Sequence, residues 1–123
     1  MDLNTPLHHL CNICPEVVAA AVVAGDGALL AVHAQPDHAD VLGPIVTALG
    51  GLAERAVQEL GRGSLEVAVL NGTNGLLVLA DLGRGHTLAA VADRGARLGL
   101  LLDDVHACTA ALRGALDREV ARA

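Results

Sequence analysis

Eight consecutive aliphatic residues, VVAAAVVA from Val17 to Ala24, constrain this chain more than any other feature. They read as a β-strand, and a strand apolar on both faces has to be covered on both faces. Helices above and below a sheet provide that cover. Gly25-Asp26-Gly27 follows, then a second apolar run from Ala28 to Ala34, so the pair predicts a hairpin around an Asp-Gly turn. A glycine-rich phosphate cradle leads from a strand into a helix N-terminus, whereas this turn leads into another strand. The strand-to-strand stretch Gly83-Arg84-Gly85 fails in the same way, and no Lys is present for a Walker-type loop.

The remaining chain supplies the covers. Thr5-Pro6 predicts the start of a short helix, with Thr5 able to cap it, Leu7, Leu10, Cys11 and Cys14 on one face, and a stop before Pro15. Residues 37–60 read as a long helix beginning around Asp37 to Asp40. Its Val41, Leu42, Ile45, Val46, Ala48, Leu49, Leu52, Ala53, Ala56, Val57 and Leu60 fill an arc of roughly 180°, where one covered sheet needs a stripe of about 100°. The surplus predicts a second buried surface. Gly43 and Gly50 could admit a foreign backbone there or fit against this chain's own core. Gly61 and Gly63 end the helix.

Three strand-like runs follow, Leu65 to Leu70, Leu76 to Ala80 and Thr87 to Ala92, joined by the turn stretches NGTNG and LGRGH. Turns this short predict an antiparallel meander. A one-faced helix then carries Leu98, Leu101, Leu102, Val105, Thr109, Leu112 and Leu116, with Gly95 and Gly99 at its start expected to pack closely on the sheet. The expected fold is α/β, a three-layer α-β-α sandwich with a five-stranded antiparallel sheet in the order α-β-β-α-β-β-β-α, as one domain over residues 1–123.

Several functions are excluded by what the chain lacks. It has no Phe, Tyr or Trp, a net charge of −6 and eight basic residues, all Arg, so neither stacking platforms nor a basic stripe exist for nucleic acid. No apolar run reaches the roughly 18–20 residues that span a bilayer, and MDLNTPLHHL has no basic residue to open a secretory signal. Three cysteines, an odd number, do not make a disulfide framework; a reducing cytoplasm is expected.

The stretch HHLCNIC offers His8, Cys11 and Cys14 as metal or redox candidates. A structural zinc site wants four ligands. His106 and Cys108 lie two apart on a helix and point to different faces, so they do not both complete one. Cys11 and Cys14 sit at the C-terminal end of their helix, where the dipole does not stabilise a thiolate, and share the apolar face of Leu7 and Leu10. They read as core residues. His33, His38 and His86 are scattered over strand ends and loops, and Asp103-Asp104 diverge on the last helix. Asn71-Gly72-Thr73 is a turn. No catalytic constellation, cofactor site or metal site emerges, and the chain reads as a non-enzyme.

The whole layout resembles the Roadblock/LC7 family, relatives of a dynein light chain that include bacterial gliding-motility GTPase regulators. The resemblance runs from about Leu7 to Leu116. It rests on VVAAAVVAGDGALLA as the first hairpin, VLGPIVTALGGLAERAVQELGRG as the long helix ending in Leu-Gly-x-Gly, LEVAVLNGTNGLLVLADLGRGHTLAAVA as the meander and GARLGLLLDDV opening the last helix. It implies a dimer of this chain with itself or a paralogue, made by antiparallel pairing of the long helices and edge-to-edge joining of the third strands. The residues expected at that interface are Leu42, Gly43, Val46, Leu49, Gly50, Ala53 and Val57 on the helix and Leu65, Val67 and Val69 on the strand. The implied partner is a small Ras-like GTPase, regulated or docked without catalysis by this chain; the alternative is a dimeric scaffold in a signalling or motor complex. Members that stimulate GTP hydrolysis can use terminal segments to shape the GTPase, and here both ends are short.

Overall fold

The computed structural model describes residues 2–33 and 39–122. The elements follow the expected order: α1 (Asn4–Ile13), β1 (Val17–Val23), β2 (Leu29–His33), α2 (Ala39–Glu59), β3 (Val67–Gly72), β4 (Gly75–Gly83), β5 (His86–Asp93) and α3 (Leu98–Arg122). The expected strand limit at Ala34 and the helix start at Asp37 lie outside the described residues.

All five strands form one antiparallel sheet in the order β2-β1-β5-β4-β3. The aliphatic run is thereby explained. β1 lies inside the sheet between β2 and β5, with Ala19, Ala20, Ala21, Val22 and Val23 all buried. Alternate residues feed two cores. On one face Val17, Ala20, Val22, Val78, Ala80, Leu88 and Ala90 meet Leu7 and Leu10 of α1 and Leu101, Val105 and Leu112 of α3. On the other, Ala21, Val23, Leu79 and Ala89 meet Leu42 and Val46 of α2. The second core is much the smaller.

The turns are built as their residues require. At the first hairpin Asp26 Oδ1 accepts the Ala28 N–H at 3.0 Å, and Gly27 takes φ 89°. Arg84 and Gly85, at φ 56° and 79°, form the two-residue β4–β5 turn with both central residues left-handed, the geometry that matches strand twist.

Three local expectations are corrected. Thr5 does not cap α1; it lies within the helix, and Asp2 Oδ1 accepts the Asn4 and Thr5 N–H groups at 3.1 Å each. Leu65 is not in β3, which begins at Val67; it lies in the connection from α2. Gly95 and Gly99 do not pack closely on the sheet, since a Cβ at either would meet nothing within 4 Å.

Candidate functional site

The residues that carry reactive groups do not converge. Cys14 is buried and Cys11 half-buried among the residues between α1 and α3, and Cys108 joins them from α3. Burial raises all three thiols above the ordinary value. For Cys108 it does so to about 12, with a smaller push from Cys11. The Cys108 thiol donates to the Pro6 carbonyl at 3.5 Å and the Cys14 thiol to Glu16 Oε2 at 3.6 Å. These are packing cysteines, poor nucleophiles at neutral pH.

His8 meets His33 rather than a thiol, their rings edge to face with centroids 4.7 Å apart. His106 is exposed while Cys108 is buried, so the two diverge as their spacing requires. His86 Nδ1 lies 3.1 Å from the Arg84 carbonyl oxygen in the β4–β5 turn. His38 lies outside the described residues. Among those described, no group of three or more His, Cys, Asp or Glu side chains could hold a metal ion. None of the described helices is long and apolar enough to cross a membrane.

What the structure does bring together is open apolar surface. Of the 21 residues of α2, only Leu42, Gly43 and Val46 are buried. Gly43 abuts the first hairpin so closely that a Cβ there would collide with the Gly27 carbonyl oxygen. Its close approach is to this chain's own backbone. Gly50, one face-repeat further on, has nothing within 4 Å of an added Cβ. Leu49 beside it, and Ala53 and Val57 beyond, are half-buried. Beside this half of the helix a cleft of about 470 Å³ opens, lined by Val46, Gly50, Glu54, Leu65 and Leu79 among others.

The helix also carries a second apolar stripe, about a quarter turn round from the first. Val41, Ile45 and Leu52 are 47%, 43% and 68% exposed, with Ala48 and Ala56 exposed between and beyond them. Of the helix residues expected at an interface, Leu42, Gly43 and Val46 are buried within the chain's own fold, while Leu49, Gly50, Ala53 and Val57 keep partial exposure. The close contact of Gly43 marks the flank of the helix that faces inward.

β3 is the other open element. It pairs only with β4, so its outer edge presents unpaired backbone groups. Val67, Val69 and Leu70 are each about two-fifths exposed. Val67 and Val69 stand opposite Ala80 and Val78, on the α3 face, while Ala68 and Leu70 stand opposite Leu79 and Leu77, on the α2 face. Charged residues, prolines and bulges are the usual protections of an edge, and β3 has none of them. On the α3 face a groove of about 670 Å³ separates Val67 from Leu102, His106 and Arg113.

The family model of the Roadblock/LC7 domain matches residues 7–92. An uncharacterized protein of Methanocaldococcus jannaschii is 31% identical over 88 residues, covering 70% of this chain and 76% of its own. Among solved structures, a Roadblock/LC7 domain from Streptomyces avermitilis superimposes with a TM-score of 0.86 at 26% identity, over 94% of this chain and 98% of that one. MglB of Myxococcus xanthus gives the same TM-score at 15% identity, over 94% and 95%, a likeness of fold.

Proposed function

Because this chain belongs to the Roadblock/LC7 domain family, we propose that it works as a non-enzymatic dimer that regulates or docks a small Ras-like GTPase in bacterial signalling or polarity. The partner in the dimer is a second copy or a paralogue, and the setting is the cytoplasm. One observation carries the reading: the unprotected edge of β3 and the outer stripe of α2 are both left open by the chain's own fold. A second copy joined at β3 and crossing at α2 covers both at once. It pairs the edge and buries Val41, Ile45 and Leu52, side chains that each contribute about 1.5–3 kcal/mol when taken fully from water.

The link to a GTPase comes from the family resemblance. The chain brings docking surface and no active site. Light scattering behind a size-exclusion column, with refractive-index detection because aromatic absorbance is absent, tests the dimer. Single-turnover GTP hydrolysis by small Ras-like GTPases of the same organism, with and without this chain, tests regulation. A dimer that binds the GTPase and changes its turnover supports the proposal. Binding without any change in hydrolysis or exchange makes the protein a scaffold, and a dimer that does not bind removes the GTPase role.

A further inference from the structure

Resting on the self-association proposed above, we infer that Glu54 is the positioning residue that seats the edge strand β3 relative to α2, so that both halves of the dimer surface are set by one side chain. The carboxylate spans the α2–β3 connection. Its Oε2 accepts the Leu65 N–H at 2.7 Å, eleven residues further along the chain. Its Oε1 accepts Gln58 Nε2 at 2.7 Å, one turn along the helix, which holds the group in place.

The connection has little else to fix it. α2 closes with the Arg62 N–H donating to the Val57 carbonyl at 2.8 Å and the Gly61 N–H to the Gln58 carbonyl at 3.0 Å, with Gly61 at φ 68°. Gly63 follows at φ 87°, and a Cβ at Gly61 or Gly63 would meet nothing within 4 Å, so this turn is not packed. Ladder bonding resumes where the Asp81 N–H donates to the Glu66 carbonyl at 3.0 Å. Between those points, among the described residues, the bond from Leu65 to Glu54 is the anchor.

That anchor matters because β3 has one neighbour only. A strand held on one side takes its entry point from its connection, and a slip of one residue would exchange Val67 and Val69 with Ala68 and Leu70 across the sheet. An N–H bonded to a carboxylate is also worth more than a neutral pair, and a half-buried donor left without one is costly. Glu54 faces the same cleft as Leu65, beside the part of α2 whose Gly50 side is open. It therefore links the helix that offers the outer stripe to the strand that offers the edge.

The test compares the full chain with Glu54→Ala and Glu54→Gln by analytical ultracentrifugation and residue-resolved hydrogen exchange. In Glu54→Ala the dimer dissociation constant rises about tenfold, and the Leu65 amide loses protection while the Val78 and Ala90 amides keep theirs. Glu54→Gln retains an acceptor oxygen in the same place and recovers most of both signals. A general structural role would instead lower protection across the sheet and would not separate these amides.

A wild-type dimer whose dissociation constant is unmoved in Glu54→Ala overturns the role of Glu54 and leaves self-association standing. A wild-type monomer overturns self-association and this role with it. Should Glu54→Ala fail to fold, Glu54→Met, which keeps the stem and removes the acceptor, decides: weaker association with faster Leu65 exchange supports the inference, and wild-type values for both overturn it.

Discussion

Gly43 and Gly27 touch backbone to backbone: a Cβ built on Gly43 would collide with the Gly27 carbonyl oxygen, and no side chain could stand between them. This contact locks the start of α2 to the first hairpin. Gly43→Ala forces the two backbones apart and should destabilise the fold by about 1–3 kcal/mol, as overpacking does. Gly50→Ala meets empty space in the middle of the same helix and should stabilise it by about 0.5–1 kcal/mol. Urea denaturation of the two variants measures the difference. Equal effects would mean that α2 is not seated as described.

The two apolar stripes of α2 separate folding from association. Val46 is 1% exposed, so Val46→Asp places an unpaired charge in the core and should unfold the chain, a loss of several kcal/mol. Leu52 is 68% exposed, and Leu52→Asp should leave a folded monomer with wild-type helicity. Circular dichroism and light scattering read the two outcomes. A folded dimer from Leu52→Asp would take the outer stripe out of the interface.

Why the sequence revealed the arc but not its division follows from these same residues. Periodicity reports which positions are apolar, and Leu42 and Val41 are equally so. Only the contact of Gly43 with a turn sixteen residues earlier tells which flank faces inward. The hairpin at Gly25-Asp26-Gly27 was legible because its chemistry is local. The limit of β3 was not, since Leu65 and Val67 differ in whether they have a ladder partner or Glu54, not in character. The same holds for the α1 cap. Thr5 and Asp2 are both capping residues, and the backbone preceding the helix decides between them.

The open edge of β3 gives a prediction with the opposite risk. Lysine on an edge strand is a common guard against pairing, and this chain has none. Val69 is 37% exposed, so Val69→Lys can extend its ammonium to water at small cost to the monomer. It should weaken the dimer by about tenfold or more while the denaturation midpoint at low protein concentration stays close to wild type. Sedimentation equilibrium checks the first part and urea titration the second. An unchanged dimer would place the contact elsewhere than β3.

The thiols provide a pH signature of the core between α1 and α3. Burial raises the Cys108 thiol from the ordinary 9.0 to about 12 in the folded chain. A group whose folded value is raised holds its proton more tightly when folded. Its contribution is therefore complete below pH 9, where the thiol is neutral in both states. It falls as pH climbs through the window from 9 to about 12, because the unfolded chain ionises first. Wild-type stability should fall across that window, and Cys108→Ala should fall less steeply, the residual slope coming from Cys11 and Cys14, which burial raises as well. Paired urea titrations from pH 8 to 11 measure the difference. Parallel curves would show that Cys108 is not desolvated in solution and that α3 does not close over α1 as the buried contact with Pro6 requires.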